Sequence, residues 1–332
     1  MTNRREQWRY CAAGLLVAAG FVLSLHVGKY PLRPETVWAL LTGRTAEGMQ
    51  YNVFWTLRFP RTVMALLAGV GLGMTGAVYQ MIFKNPLASP DIIGVSSGAS
   101  LGAAVAIVCF GQSALQMTGF AFGGGLLAML LVMALVRVTG NRNTTAYILA
   151  GIIMRAMADA LIMMLKFFAD PEKQLAAIEF WSMGSFGGIT AGKMRAMLPL
   201  FLCGMAGMAL LRRQIVLLHL EEEESRALGV RVWAVRIAVL AFSTLTVASI
   251  ISFTGLISFV GLIAPHIARL ALKRVSFAWC VLSSAAGAFV LLFADCAARV
   301  LYSAEIPISI LKTFIGIPIL LVFMHQRKAR RI

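Results

Sequence analysis

The chain has 332 residues, of which 59% are hydrophobic and 13% are charged, and its formal net charge is +16. Because a soluble domain carries about 25% charged residues, this composition excludes a water-soluble globular protein. Apolar stretches of about 20 residues, the length that crosses a bilayer as a helix, recur throughout. The predicted fold class is therefore an all-α polytopic membrane protein, and its basic excess indicates charged loops on one side of a membrane, with no nucleic acid partner.

The apolar stretches predict about ten transmembrane helices. The first follows a basic start but is long for the apolar part of a signal peptide, so it is interpreted as a retained helix. The eighth is short and follows the sequence "SFTGLISFVGL", which indicates a broken or re-entrant helix that is buried in protein or lines a cavity. The approximate spans are 8–28, 60–82, 93–110, 118–138, 146–168, 194–211, 233–253, 257–271, 277–299 and 307–325.

An even number of helices places both termini on one side of the membrane. Lys and Arg concentrate in the loops on that side, which the positive-inside rule assigns to the cytoplasm. Long loops at 29–57 and 169–193 then face outward, whereas 212–232 faces the cytoplasm. Because there is no linker or low-complexity tract, residues 1–332 are interpreted as a single transmembrane domain.

The segment "KNPLASPDIIGVSSGAS", residues 84–100, separates the second and third helices. Gly94, Ser96 and Gly98 match the G-x-S-x-G pattern of serine hydrolases. That motif needs a preceding strand and later acid and histidine partners, whereas a membrane helix precedes this segment. The context predicts a break between two helices and no catalytic residue.

Small residues spaced four apart let helix backbones approach closely. The pairs are Gly69 with Gly73, Gly94 with Gly98, and Gly98 with Gly102. The five cysteines lie in or beside apolar segments and show no C-x-x-C spacing, so neither a metal site nor a disulfide is predicted.

The fifth helix, "AYILAGIIMRAMADALIMMLKFF", is unusual because it contains Arg155, Asp159 and Lys166. Arg155 and Asp159 are four residues apart and share one helix face. Ionisable groups at membrane depth face an aqueous cavity or pair inside the bundle. Two interpretations stay open: a polar wall of a translocation pathway, or a structural ion pair inside the bundle with Lys166 reaching outward.

The cytoplasmic loop contains the sequence "HLEEEESRALGVRV", residues 219–232. Acidic residues in its first turn complement the helix dipole, and Gly229 fits the position after a helix end. The pattern predicts a short helix between two membrane spans, which is either a solvated surface element or a docking element for a cytoplasmic partner.

Seven segments together resemble the FecCD-type permease subunits of ABC importers for iron siderophores, haem and vitamin B12. They are 57–103, beginning "LRFPRTVMALLAGVG", "YILAGI" at 147–152, "WSMGSFGGIT" at 181–190, "EEEESRALGV" at 221–230, "GLISFVGLIAPHIARL" at 255–270, "ADCAARVLY" at 294–302 and "EIPISILKTFIGIPILL" at 305–321.

The resemblance implies a type II importer fold similar to the vitamin B12 permease, with ten helices in each subunit. It implies four kinds of partner: a second permease copy forming a homodimer, two cytoplasmic ATPases that bind ATP and Mg, a periplasmic or surface-anchored binding protein, and membrane lipid. The chain itself holds no cofactor and is not an enzyme. The expected cargo is a ferric siderophore or haem, with cobalamin as the alternative, and the expected location is the inner membrane of a bacterium.

The resemblance also implies roles for individual residues. Residues matching the ATPase-coupling helix are Glu221, Glu222, Glu223, Glu224, Ser225, Arg226, Ala227, Leu228 and Gly229. Residues matching the arginines that dock the binding protein on the outer face are Arg58, Arg61 and Arg299, although the offset of Arg299 from Glu305 is one residue shorter than in the vitamin B12 permease. The cytoplasmic gate matches Asn85, Leu87, Thr144 and Thr145.

Four charged residues exceed the usual pattern of the family and suggest an anionic chelate as cargo; they are Arg155, Asp159, Lys166 and Lys312. The expected mechanism is alternating access driven by the ATPases, because this chain has no G-x-x-x-x-G-K-[ST] motif of its own. The alternative from another class is a secondary transporter with Asp159 in a proton relay. A membrane enzyme would need a catalytic cluster that the sequence does not display.

Overall fold

The computed structural model describes residues 4–318 apart from 45–47, 112, 141–142, 273, 303–304, 312 and 315, with side chains from residue 7 onward. Every regular element among these residues is helical. The α-helices are α1 (Arg4–His26), α2 (Pro34–Leu41), α3 (Met49–Asn52), α4 (Phe59–Ile82), α5 (Val95–Val105), α6 (Ala114–Val138), α7 (Thr144–Phe168), α8 (Gln174–Met183), α9 (Ala191–Leu210), α10 (Arg212–Leu217), α11 (Glu222–Ala227), α12 (Val232–Thr254), α13 (Val260–Ala271) and α14 (Phe277–Val300).

Three shorter helical segments complete the regular structure. Val53–Arg58 and Ala106–Phe110 are π-helical extensions of α4 and α5, and Pro90–Ile93 is a 3₁₀ turn before α5. A further apolar helix, Ile308–Pro318, is described in part.

Seven helices in the described part of the chain are long and apolar enough to cross a membrane. Three shorter apolar helices, Val95–Phe110, Val260–Ala271 and Ile308–Pro318, coincide with the third, eighth and tenth predicted spans. The all-α membrane fold is thus confirmed, and the count is consistent with about ten helices. The loops predicted at 29–57 and 169–193 contain the short helices α2, α3 and α8, which hydropathy did not reveal.

Helix α4 lies at the centre of the bundle and is buried along most of its length. Its glycines bring other helices within backbone contact: a Cβ added to Gly69 would lie 2.4 Å from Ala288 Cα, and one added to Gly76 would lie 1.8 Å from the Gly261 carbonyl oxygen. Any side chain at these positions would push α14 or α13 away. The close packing predicted from the glycine spacing is confirmed here.

The eighth span is short, as the sequence predicted, and non-helical backbone separates it from the seventh. Helix α12 ends at Thr254, residues 255–258 are non-helical, and α13 begins at Val260. Because α13 has 12 residues, it is about 18 Å long, shorter than the hydrocarbon core of about 30 Å. Phe259, immediately before α13, has a φ of 68°, which is uncommon for a bulky residue.

The two ends of the bundle differ in composition. We call one the α11 end: here Lys84, after α4, pairs with Glu221, and His219 lies 3.4 Å from the Met81 carbonyl oxygen. We call the other the arginine end, because Arg58, Arg61 and Arg299 meet there beside the end of α1.

Candidate functional site

A cavity of about 430 Å³ opens beside α7 and has mostly small, polar or charged walls. Three parts of the chain form it: α7, the 3₁₀ turn with the start of α5, and the break between α12 and α13. Its lining residues are Ser89, Asp91, Ile92, Ser96, Ser97, Ser100, Gly151, Ile152, Arg155, Asp159, Leu256, Ser258, Phe259 and Leu262.

Gly151 sets the distance between two of these walls. A Cβ at this position would lie 1.7 Å from the Ile92 carbonyl oxygen, so only glycine lets α7 pass this close to the 3₁₀ turn. The third wall is non-helical backbone, which is found at membrane depth only where it is buried in protein or lines a water-filled space. The cavity therefore accounts for the break after α12.

Arg155 and Asp159 form an ion pair on the cavity side of α7, with 3.6 Å between Nε and Oδ2. The exposed fractions of the two side chains are 64% and 52%. These values exclude the interpretation of a pair buried inside the bundle of this chain. Charged groups on membrane helices line aqueous cavities or pair with one another, and these two do both.

The serines of the cavity differ in their hydrogen bonding. The Ser96 hydroxyl donates to Asp91 Oδ1, which holds the acid beside the start of α5. The Ser100 Oγ atom, by contrast, is buried and has no hydrogen-bond partner within the described residues. The wall therefore contains one hydroxyl group that has a hydrogen-bond partner and one that has none among the described residues.

Helix α11 is defined at both ends by backbone and side-chain hydrogen bonds. Glu221 and Glu224 form a reciprocal capping box at its start. At its end, Gly229 has a φ of +80°, the Gly229 N–H donates to Arg226, and the Val230 N–H donates to Ser225. This is a Schellman motif, so the predicted short helix ending at Gly229 is confirmed.

The helix is anchored on one side and exposed on the other. Ser225 is 1% exposed, and its hydroxyl donates to the Leu217 carbonyl oxygen of α10 at 2.8 Å. Leu228 is 59% exposed and lies on a groove of about 560 Å³ between α10, the end of α11 and the start of α12. A fixed helix that presents a large apolar side chain beside a groove is suited to contact another protein.

The arginine end contains the three residues that match the docking arginines of the family. The exposed fractions of Arg58, Arg61 and Arg299 are 5%, 7% and 5%. Arg58 donates to the carbonyl oxygens of Leu25 and His26 at 3.1 and 2.8 Å.

Arg299 donates to the carbonyl oxygens of Ser24 and Val27 at 3.0 and 2.9 Å. The last carbonyls of α1 would otherwise lack partners in the bilayer, which gives the physical reason for burying Arg58 and Arg299.

Arg61 has a different set of partners. Its Nε lies 2.9 Å from Asp295 Oδ1, and its Nη1 lies 2.7 Å from Glu305 Oε1. Asp295 is fully buried and also contacts Arg299 Nη2 at 2.7 Å through its other oxygen. Docking of a binding protein on these arginines stays a prediction, and all three already have partners within the chain.

The residues predicted as a gate lie toward the α11 end. Asn85 Oδ1 accepts from the Leu87 N–H at 2.9 Å, which turns the chain and leaves the Leu87 side chain 62% exposed. Thr144 and Thr145 begin α7, which is capped by Asn143. The rings of Phe83 and Tyr147, 6.1 Å apart, show that the two segments are close; their role as a gate stays a prediction.

Two further charged residues were singled out from the sequence. Lys166 pairs with Glu179 of α8 at 2.7 Å, so it reaches away from the cavity as one interpretation expected. Lys312 lies outside the described residues.

Sequence reasoning missed the roles of Asp295, Asp91 and the cavity serines. For Asp295 a signal was present, because an acid inside an apolar span stands four residues before Arg299, the spacing of a helical ion pair.

Comparison with known proteins places the chain among transport permeases. The FecCD transport family matches residues 15–326. A molybdate import system permease protein of Haemophilus influenzae is 36% identical, over 95% of this chain and 94% of its own. The ferric enterobactin transport system permease protein of Escherichia coli is 34% identical, over 95% of this chain and 94% of its own. A solved structure described as an inward-facing, metal-chelate type ABC transporter has a TM-score of 0.85 and 33% identity, covering 96% of this chain and 99% of its own.

Proposed function

The chain belongs to the FecCD transport family, and on that basis we propose that it is the permease through which an ATP-driven importer moves an iron chelate into a cell. It is a multi-pass membrane protein and a permease subunit of an ABC importer. The observation that carries the proposal is the family match over residues 15–326, in a chain that has a cavity with charged and hydroxyl side chains beside a short membrane helix.

Helix α11 is proposed to receive the motion of a partner ATPase. Its capping box and Schellman motif make it a rigid unit, and Ser225 links it to α10. The exposed Leu228 and the adjoining groove offer the contact surface. ATP and Mg would bind to two ATPase subunits, and this chain would hydrolyse nothing itself.

The cavity beside α7 is proposed to be one half of the pathway. The α7 face that carries Arg155 and Asp159 is open in the single chain, and charged groups facing lipid are costly. A second copy of the permease would cover that face and complete the pathway. The two copies would then expose it alternately to each side of the membrane.

A binding protein on the far side and cytoplasmic termini complete the proposed arrangement. The basic loops at the α11 end support a cytoplasmic location for that end in a bacterial cell, by the positive-inside rule. The arginine end then faces the binding protein. Because the guanidinium groups there are buried, docking would use them only after their present partners are exchanged.

The cargo proposed first is a ferric siderophore or haem, and cobalamin is the alternative within the same machinery. Molybdate is a second candidate, favoured by the 36% identity to the Haemophilus influenzae molybdate permease.

Uptake by the assembled importer tests the proposal. The permease, purified with its ATPase and binding protein, is placed in lipid vesicles and offered radiolabelled ferric siderophore, haem, cobalamin or molybdate. ATP-dependent accumulation of an iron chelate is expected. Accumulation of cobalamin or molybdate alone would contradict the choice of cargo.

The same vesicles distinguish the remaining alternative. An ABC importer is inhibited by vanadate and is insensitive to dissipation of ion gradients. A secondary transporter shows the reverse, and uptake without an ATPase would overturn the proposed function.

A further inference from the structure

We propose that Arg155 selects cargo with an oxygen-rich anionic face, and that Asp159 is an internal counterion which such cargo displaces. The class of ligand is a carboxylate or catecholate chelate, or an oxyanion. The inference rests on the proposed function and deepens it, because it names the chemistry that the pathway recognises.

Arg155 is the only cationic side chain that lines the cavity in the described part of the chain. Its contact with Asp159, at 3.6 Å, is longer than the 2.7–2.9 Å of a charge-assisted hydrogen bond. It also involves Nε, which leaves the terminal amino groups for another ligand. A guanidinium group donates in a planar fork that matches paired oxygen atoms, so the cavity has a donor suited to such cargo.

A serine on another wall of the cavity offers a second donor. Ser100 lines the same cavity, and its buried hydroxyl has no partner within the described residues. A buried polar group without a partner costs free energy, which a ligand oxygen would recover. The donors come from α5 and α7, so a ligand that contacts both must lie between these walls.

The two acids of the cavity do not have the same effect on an anion. Asp91 accepts from the Ser96 hydroxyl and stands beside the start of α5, where a helix dipole stabilises negative charge. Asp159 is 52% exposed, and within the described part of the chain its one ion pair is the long contact with Arg155. Asp159 is therefore the group that a bound anion would displace.

This competition suits transport. Exposed ion pairs contribute about 0–1 kcal/mol, so cargo displaces Asp159 at little cost. Once cargo leaves, Asp159 returns to Arg155 and neutralises it. A pathway must bind its cargo strongly enough to admit it and weakly enough to release it. Asp159 limits the affinity of Arg155 for cargo, because it competes for the same guanidinium group.

Uptake kinetics of variants in the complete importer test the inference. The probes are molybdate and a ferric tris-catecholate, which are anionic, and cyanocobalamin, which has no net charge. In Arg155→Gln the KM for the transported anionic probe should rise about tenfold or more, equivalent to about 1.4 kcal/mol. Arg155→Lys should give an intermediate KM, because lysine keeps the positive charge but lacks the planar pair of donors of a guanidinium group.

Asp159→Asn should have the opposite signature. Without the competing acid, the KM for the anionic probe should fall, and kcat should fall with it because release slows. Lys166→Gln is the matched control, since it removes a cation from the same helix but outside the cavity, and its KM should equal that of the wild type.

The outcomes separate the two proposals. Equal KM values for wild type and Arg155→Gln with an anionic probe overturn the inference alone, as does an importer that carries cyanocobalamin only. An importer that carries none of these probes and no haem overturns the proposed function and the inference with it. Because ATP hydrolysis is measured in the same vesicles, loss of coupling is not mistaken for a change in selectivity.

Discussion

The arginine end and the cavity beside α7 both contain Arg–Asp ion pairs, but the pairs are buried at the first and exposed in the second. At the arginine end, Asp295 is fully buried and contacts Arg61 and Arg299 at 2.7–2.9 Å. In the cavity, Arg155 and Asp159 are 64% and 52% exposed, and their contact is 3.6 Å long. The first arrangement has no room for an outside ligand, whereas the second leaves donors free.

Burial therefore separates charges that maintain the fold from charges that can meet a cargo. Removing one member of a buried ionic group leaves the others unpaired in a medium of low dielectric constant, which costs several kcal/mol. Removing a member of an exposed pair costs little. The effect of a substitution on the free energy of unfolding should therefore be largest in the buried network and smallest in the cavity.

Asp295→Asn should destabilise the protein by about 3–5 kcal/mol, because Arg61 and Arg299 lose their shared carboxylate. The measurement is thermal or denaturant unfolding of the purified permease in detergent. Asp159→Asn is the matched control and should unfold almost like the wild type. Equal stability of the two variants would contradict a structural role for the buried network.

Gly229→Ala should cost about 1 kcal/mol, because an L-residue at a φ of +80° is strained. Transport should fall much further than stability, since the end of α11 would shift together with Leu228. Uptake and unfolding are measured in parallel on the same preparation. Gly123→Ala is the control, because the position beside Gly123 on α6 is open; unimpaired uptake in Gly229→Ala would count against α11 as the coupling element.

Glu305→Gln should cost no more than about 1 kcal/mol, although Glu305 contacts the same Arg61 as Asp295. Its side chain is 40% exposed, so water replaces most of the lost interaction. Unfolding of this variant beside Asp295→Asn compares an exposed and a buried carboxylate on one guanidinium group. If Glu305→Gln lowered the free energy of unfolding as much as Asp295→Asn, exposure of the carboxylate would not determine the effect of its removal.

The smallest effect is expected for the pair in the cavity. A double-mutant cycle of Arg155→Gln and Asp159→Asn should give a coupling of about 0.5 kcal/mol or less, typical of exposed helical pairs. Unfolding of the four proteins supplies the value. A coupling above about 2 kcal/mol would mean that the pair is structural, against the exposed fractions of its side chains.

The features that sequence predicted well depend on neighbouring residues. Hydropathy located the spans, and the break after Thr254 was evident because α13 is too short to cross. The run from Glu221 to Gly229 contains both the cap and the stop of α11. Each of these patterns involves only residues within a few helical turns of one another.

The features that it missed depend on contacts between distant segments. Arg61 meets Asp295 across 234 positions in the chain, and nothing near Arg61 in the sequence indicates that partner. The same holds for the carbonyl groups at the end of α1, which bury Arg58 and Arg299. The family resemblance implied arginines on the outer face, and the structure adds that Arg58 and Arg299 satisfy the carbonyl groups at a helix end.

The break between α12 and α13 has a mechanical consequence. Hydrogen bonds hold the start of the break to neighbouring segments. The Ser185 N–H donates to the Thr254 carbonyl oxygen, and the Ser309 hydroxyl donates to the Leu256 carbonyl oxygen. On the far side of the break, α13 is anchored as well: Gly261 is in backbone contact with Gly76 of α4, and the Trp279 Nε1–H donates to the Pro265 carbonyl oxygen at 3.1 Å. Residues 255–259 thus connect two helices that are held separately, and Phe259 and Leu262 put the start of the second helix in the wall of the cavity.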